Sequence, residues 1–488
     1  MAENTQVLSN EVDIRREKIE DLKASGEIPF KDKYERTCTI EEAREKIGER
    51  VKIAGRIIFK RVMGKFGFVQ IRDINAKIQV SVGRNELSEQ EYDFYKKMID
   101  IADFIGVEGE VYVTQTGEVT VRAEKITLLS KTLRPLPEKF HGLTDAETIY
   151  RQRYLDLITN EKSRQVFLTR SKIVSFVRRY LEDNGFIEVE TPVLQTSVSG
   201  ASAKPFFTHH NALDIECNLR IATETWLKQC ISAGFDRVFE LGKDFRNEGM
   251  DPSHLQEFTQ VEWYASYWNF EDNINFFYNM INDLLKSCLG STVVNYQGQE
   301  IDFGEKWARI NYVDRMREIL GFDFLSENNV DEFKKRVVDK NLFTYEDLKD
   351  CKTIRTLIDY IYKRKIRAGI VKPTIIFNYP AVLVPLARRN DKDPRIIDMF
   401  QVVAGGAEIV KAYSELVDPI IQRRLLEEQL EEKAMGDEET MDVDEDFLLS
   451  MEHGMPPISG LGFGIDRFVQ FVFDLPNIRD AVLFPLMK

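Results

Sequence analysis

Two periodicities divide the chain. Between residues 11 and 47, Ile14, Ile19 and Leu22 recur at near-helical spacing among charges, and Thr39-Ile-Glu-Glu opens a further short helix behind a capping threonine. From 51 to 129 the pattern becomes alternation. VKIAGRIIFKRV, GFVQIRD, KIQVSVGR, DFIGVEGEVYVT and EVTVRAEKITLL read as short strands, with a helix over 87–99 (LSEQEYDFYKKMI) interrupting them. Gln115-Thr-Gly-Glu118 is a tight hairpin signal.

Five strands with one inserted helix predict a small closed barrel of the oligonucleotide-binding (OB) type. Residues 131–150, with two prolines and a glycine, read as a linker. One large mixed unit follows. Its helix over 161–183 stops before Asn184-Gly185, a C-terminal cap signal. Strand-like segments come next: FIEVETP, LRIAT, DRVFELGKDFRN, EFTQVEWYASY, FQVVAG and AEIVKAYSEL. A closing helix is expected near 464–473, after Gly460-Leu-Gly-Phe-Gly. The fold class is therefore α+β.

The 488 residues are 43% hydrophobic and 30% charged, which excludes disordered and fibrous classes. No apolar run approaches the roughly 18 residues of a membrane span. The charged N-terminus lacks the apolar core of a secretory signal. Five scattered cysteines without a C-x-x-C point to a reducing compartment, and so to the cytoplasm. The net charge of −14 is uneven. Residues 427–446 hold eleven Asp/Glu and one Lys and read as a solvated acidic segment, whereas 51–80 hold seven Lys/Arg and one Asp. A basic surface is thus expected on the barrel of an acidic chain.

No phosphate-binding G-x-x-x-x-G-K-[ST] is present, and the glycines at 460, 462 and 464 do not form G-x-G-x-x-G. His209 and His210 would point to opposite sides of a strand, so they make a poor metal pair. The informative stretch is 236–267, two strands flanking a polar loop. Arg246 and Glu248 share one face, and Glu262 and Tyr264 share another. An arginine fixed on a strand can bind phosphate bidentately, and Phe258 could offer a flat surface to a purine. Taken alone, this is an ordinary salt-bridged hairpin. Gly460-Leu-Gly-Phe-Gly-Ile-Asp-Arg467 adds an arginine just inside a helix after a glycine-rich turn, suited to a polyphosphate. Pro192 follows a strand that follows a long helix. Glu408 and Glu415 are a plausible magnesium pair.

In this order and spacing, the segments at about 172–193, 236–267 and 460–473 resemble the three signature motifs of class II aminoacyl-tRNA synthetases. RPLPEKFHGLTD, GASAKPFFTHHNALD, LRIATETWLK, FRNEGMD, AYSELVDP and IRDAVLFPLMK narrow the resemblance to the lysine-specific branch of class IIb, over nearly the whole chain. The resemblance implies an N-terminal helical segment at 1–48, an OB anticodon-binding domain at 49–130, the linker at 131–150, and a catalytic domain at 151–488. In that domain a central antiparallel sheet is flanked by helices, and a homodimer forms through motif 1. It implies L-lysine, ATP with Mg2+, and tRNA(Lys) as reaction partners, and no membrane.

The resemblance also implies roles. Arg246 would contact the α-phosphate and the substrate carboxylate, and Arg467 the terminal phosphate. Glu248, His254 and Phe258 would surround the adenine and phosphates. Glu408 and Glu415 would be the magnesium carboxylates. Glu415 and Tyr264 would meet the side-chain ammonium, and Glu224 and Glu262 the α-ammonium. Arg56, Phe68, Gln79 and Glu118 match positions that read anticodon uridines, by stacking and base-edge contacts.

The chain departs from the family at several of these places. Lys411 stands where an asparagine is usual and shares its face with Tyr413 and Glu415; it could pair with the substrate carboxylate or neutralise Glu415. Thr223 and Thr225 replace proline and leucine, and Leu255-Gln256 replaces Asn-Pro. Glu408 has opposite parity to Glu415, so a β-bulge between 408 and 411 is expected. The rival readings are the same adenylation chemistry with another amino acid or a protein acceptor, and a non-enzymatic binding module.

Overall fold

The computed structural model describes residues 2–137, 143–201, 203–384, 387–434 and 443–488. It resolves into two compact units, Met1–Asp145 with Tyr154–Thr159, and Ala146–Arg153 with Asn160–Lys488.

In the first unit, strands Arg50–Met63, Phe66–Arg72, Lys77–Gly83, Phe104–Val113 and Val119–Ser130 close into a barrel. The third and fifth strands pair in parallel and the other neighbours are antiparallel. Alternation sets the interior: Val51, Ile53, Ile57, Val69, Ile71, Ile78 and Val80 all point into one apolar core. The inserted helix, Glu89–Met98, carries a Ser88/Glu91 capping box and buries Tyr92 and Tyr95.

The N-terminal region is less helical than its sequence suggests. A helix spans Ala2–Ala24, Gly26 leaves helical space at φ +83°, and only Ile40–Arg44 resumes, behind the Thr39/Glu42 capping box. The segment read as a linker begins inside the first unit. Lys131 is buried between Asp100 and Asp103, with its ammonium 2.6 Å from Asp103. Helices Ala146–Arg151 and Arg153–Thr159 occupy its far end and beyond, and residues 138–142 lie outside the described residues.

The second unit is built on an eight-stranded sheet. Its spatial order is Ala308–Asn311, Thr374–Pro380, Ile396–Ala404, Ala407–Ser414, Ile458–Gly464, Glu257–Ser266, Arg237–Phe245 and Ile187–Glu188. The six inner strands are antiparallel, and each edge strand joins in parallel. The sheet is therefore mixed at its margins. FIEVETP contributes only the two-residue edge strand. In place of a strand at LRIAT, Ile215–Leu219 joins a small separate sheet and a helix starts at Glu224.

The two faces of the main sheet have different fates. Phe239, Val261, Trp263, Phe400, Leu461 and Phe463 pack with helices Glu161–Asp183 and Phe270–Leu289 in the main core. The opposite face carries Glu262, Tyr264, Lys411 and Tyr413. A helical insertion covers that face toward one edge, through Tyr312, Leu357 and Ile361 against Ile376 and Met399.

One buried carboxylate joins all three motif regions. Asp466 accepts from the Thr259 backbone N–H at 2.6 Å and from the Arg170 guanidinium, on the helix Glu161–Asp183. Replacing it leaves the buried Thr259 N–H without an acceptor and takes the carboxylate from the part-buried Arg170, which keeps only the Thr259 hydroxyl at 3.1 Å. Asp466→Ala is expected to lower the stability of this unit by about 3 kcal/mol, read as a shift in the denaturation midpoint.

Candidate active site

On the sheet's second face lies a cavity of about 490 Å³. All twelve residues expected around the amino acid and nucleotide line it: Glu224, Arg246, Glu248, His254, Phe258, Glu262, Tyr264, Glu408, Lys411, Tyr413, Glu415 and Arg467. The register explains the convergence. Glu262, Gly462 and Lys411 are direct neighbours across three strands, and Tyr264, Gly460 and Tyr413 form the next row on the same face.

Two glycines shape this floor. A Cβ on Gly460 would lie 2.2 Å from the Tyr264 ring and 2.7 Å from a Glu415 oxygen. Only glycine lets those two side chains close over the strand. Gly462 has open space above it, between Glu262 and Lys411.

The acidic end holds a residue that the sequence reading passed over. Lys228, 3% exposed, sits 2.6 Å from Glu224 and 2.7 Å from Glu415. Burial opposes its charge, but the two carboxylates outweigh burial and raise its pKa above the ordinary lysine value. Its signal was the i,i+4 spacing from Glu224 within ETWLK. Glu224 and Glu415 therefore flank one fixed ammonium, and Glu262 stands beside that trio without touching it.

Glu262 is tuned differently. Its oxygens accept from Thr223 Oγ1 at 2.6 Å and from the Tyr264 hydroxyl at 3.1 Å. Burial, reinforced by Glu224, pushes its pKa up to about 7. The two threonines that depart from the family thus have structural tasks. Thr223 bonds Glu262, and Thr225 bonds Ser199 at 3.1 Å, which donates to Asp444 at 2.8 Å. Asp444, at the end of the acidic segment, also caps helix Glu445–Glu452 and lines the cavity.

The cationic end is built on the hairpin. Arg246 donates from Nε and Nη2 to the Ile221 carbonyl, at 3.3 Å each, and lies over the Phe258 ring at 5.1 Å. Below it, Arg220 is buried against Glu240 and Asp244, and Gly242 leaves the room its guanidinium needs. Gln256, another departure, holds the loop by donating to the Glu248 and Gly249 carbonyls at 3.3 Å. His254 pairs with Asp251 at 2.7 Å. Arg467 opens into the cavity with no carboxylate partner among the described residues.

Glu408 and Glu415, the carboxylates expected at magnesium, both line the cavity. The bulge is present: Val402 pairs with Val410 and Val403 with Glu408, so Ile409 is the extra residue. It turns Glu408 into the cavity. The Glu415 carboxylate reaches back to Gly460, to within 2.7 Å of where a Cβ would stand, in the Tyr413 row of the sheet. Glu408 accepts from the Gln401 amide at 2.8 Å, and Glu415 is held by Lys228. Among the described residues no cluster of three or more His, Cys, Asp or Glu could hold a metal. His209 bonds Glu216 at 2.9 Å and is half-exposed, consistent with a surface strand.

On the barrel, Phe68 points away from the core formed by Val69 and Ile71 and packs edge-on against Phe66 at 4.8 Å. Gln79 bonds Thr120 at 3.1 Å, next to the hairpin that carries Glu118. Arg56 does not join this group. Its guanidinium lies over Phe104 at 4.2 Å and donates to the Ala102 carbonyl at 3.2 Å. Arg61 is instead the direct cross-strand neighbour of Phe68. The free basic surface is also smaller than the count suggests. Lys60 caps carbonyls at the end of helix Glu89–Met98, Lys52 pairs with Glu108, and Arg72 bonds Ile158. Arg61, Lys65 and Lys77 remain exposed.

A nucleotide-sized cavity over an antiparallel sheet, with cations at one end and clustered acids at the other, is the catalytic architecture of a class II aminoacyl-tRNA synthetase. Comparison with known families agrees: residues 145–488 match tRNA synthetases class II (D, K and N), and 51–129 match the OB-fold nucleic acid binding domain. The chain belongs to the class II tRNA synthetases of the D, K and N group. A lysine–tRNA ligase of Lactococcus lactis subsp. cremoris (strain MG1363) is 44% identical over 492 residues, covering 99% of each chain. One from Bacillus cereus (strain AH820) is 41% identical over 496 residues, covering 99% of this chain and 98% of the relative.

Removing the buried ammonium would leave Glu224 and Glu415 facing each other. Lys228→Met is expected to destabilise the catalytic unit by about 3 kcal/mol in chemical denaturation. An unchanged midpoint would mean that the ammonium contributes nothing net.

Proposed function

We propose that the protein activates L-lysine with ATP and transfers the lysyl group to the 3′ end of tRNA(Lys). The observation that carries this reading is the set of three carboxylates, Glu224, Glu262 and Glu415, converging on one cavity with Arg246 and Arg467. Lysine brings two ammonium groups and one carboxylate. A neutral isostere would leave a buried carboxylate unpaired, a loss of several-fold to many-fold in affinity.

In the first step a lysine carboxylate oxygen bonds to the α-phosphorus and the bond to the pyrophosphate oxygen breaks. No base is required. The protein supplies proximity and stabilises charge on the phosphoryl oxygens, through Arg246 at the α-phosphate and Arg467 at the tail. Phe258 carries the adenine. Magnesium enters with ATP as part of that substrate. In the second step a hydroxyl of the terminal adenosine attacks the acyl carbon, and AMP leaves. Phe68, Arg61, Gln79 and Glu118 present the barrel surface for the anticodon. In this reading a homodimer carries out the reaction in the cytoplasm, and five free thiols support the reducing compartment.

Pyrophosphate exchange measured across the twenty amino acids is expected to respond to lysine, with tRNA charging to follow. A response confined to a different amino acid would overturn the assignment. Arg246→Ala should lower kcat about 100-fold or more.

The raised pKa of Glu262 sets a pH dependence. Below about 7 the free enzyme holds this carboxyl protonated, whereas a bound ammonium favours its anion. Binding therefore releases protons, about half of one at pH 7, and weakens as pH falls. Calorimetry in buffers of differing ionisation enthalpy measures that release. It should vanish in Glu262→Gln, and the KM for lysine should rise below pH 7 in the unmodified enzyme only.

A further inference from the structure

Beside the main cavity lies a chamber of about 320 Å³ that none of the roles above uses. Arg355, Leu383, Val384, Glu408, Lys411 and Tyr413 line both spaces, so the two adjoin across one shared wall. The far side of the chamber belongs to the helical insertion. Helix Ile354–Lys365 starts behind the Thr353/Thr356 capping box and turns its positive end, with Arg355 and Thr356, to the chamber. Arg367 lines it from just past the end of that helix.

Four cations face two carboxylates here: Arg355, Lys363, Arg367 and Lys411 against Asp359 and Glu408. Both carboxylates are already engaged. Asp359 pairs with Lys363 at 2.7 Å, and Glu408 accepts from the Gln401 amide at 2.8 Å. The tyrosines are engaged too, since Tyr379 donates to Gln401 Oε1 at 2.7 Å and the Tyr362 and Tyr379 hydroxyls are 3.2 Å apart. The arginines are not. Arg355 has no hydrogen bond or ion pair among the described residues. Arg367 uses only its Nε, on the Gly406 carbonyl at 2.9 Å. A guanidinium with its outer donors unused presents a planar fork that meets phosphate oxygens two at a time. Two such forks in a net cationic chamber suit a compact polyanion of the diphosphate kind.

We propose that this chamber takes up the pyrophosphate displaced in the first step, with Arg355 and Arg367 as its ligands. The proposal rests on the adenylation reading above. As the lysine carboxylate oxygen bonds to the α-phosphorus, the bond from that phosphorus to the bridging oxygen breaks, and the electron pair departs on pyrophosphate. The departing anion carries one more negative charge than the tail it came from. Arg355, the one guanidinium common to both linings, meets it at the shared wall, and Arg367 holds it beyond. Product held there is parted from the adenylate, which disfavours the reverse attack.

Exchange of labelled pyrophosphate into ATP, measured on the full-length protein with lysine and Mg2+ in excess, tests this. Arg355→Ala and Arg367→Gln should each raise the KM for pyrophosphate about tenfold, with the KM for ATP changed less than about twofold. Arg355→Lys should recover part of the loss, because charge returns without the fork. An unchanged pyrophosphate KM in Arg355→Ala, or an equal rise in the KM for ATP, overturns the proposal. Titration calorimetry with pyrophosphate alone gives a second reading, in which Arg355→Ala should bind it about tenfold more weakly. Equal affinity, or no binding by the unmodified protein, also overturns it. Should lysine support no exchange at all, the adenylation reading falls, and the calorimetric comparison still decides the chamber.

Discussion

The acidic end of the cavity depends on one ammonium. The buried Glu415 and the partly buried Glu224 could not be held this close without a counter-charge, because desolvating a carboxylate costs several kcal/mol. Lys228 supplies it from within the helix that carries Glu224, and reaches across to Glu415 on a central strand. Gly460 removes the side chain that would hold Tyr264 and Glu415 apart. The pocket is thus organised before any ligand arrives, with Lys228 occupying only part of the field that the acids create. A cationic ligand completes an arrangement that the protein has already half neutralised.

The same logic runs under the nucleotide end. One layer below Arg246, Arg220 pairs with Glu240 and Asp244. Asp466 then locks the third motif to the first two through Thr259 and Arg170. The aspartate of Gly-Ile-Asp-Arg is structural, and its neighbour Arg467 faces the cavity because a helix places successive side chains about 100° apart.

Much of this was legible in the chain. Strand alternation gave the barrel, Thr39-Ile-Glu-Glu marked a capped helix, and parity put Glu262 with Tyr264 on one face and Lys411 with Tyr413 and Glu415 on one face of its own strand. Parity also required the bulge at Ile409. What escaped were relations across the fold. Lys228 reads as a surface helix residue until Glu415 is brought to it. Arg56 was named by resemblance alone, and only strand register shows that Arg61 is the arginine directly opposite Phe68.

The unfilled space above Gly462 has a bearing on selectivity. It lies between an acid near its titration point and a permanently charged amine, so the cavity's depth there is set by a missing methyl group rather than by either charge. Length and electrostatics are consequently separable properties of this pocket. Evolution, or an engineer, could shorten the accepted side chain at that position while leaving the ionic recognition of both ends untouched.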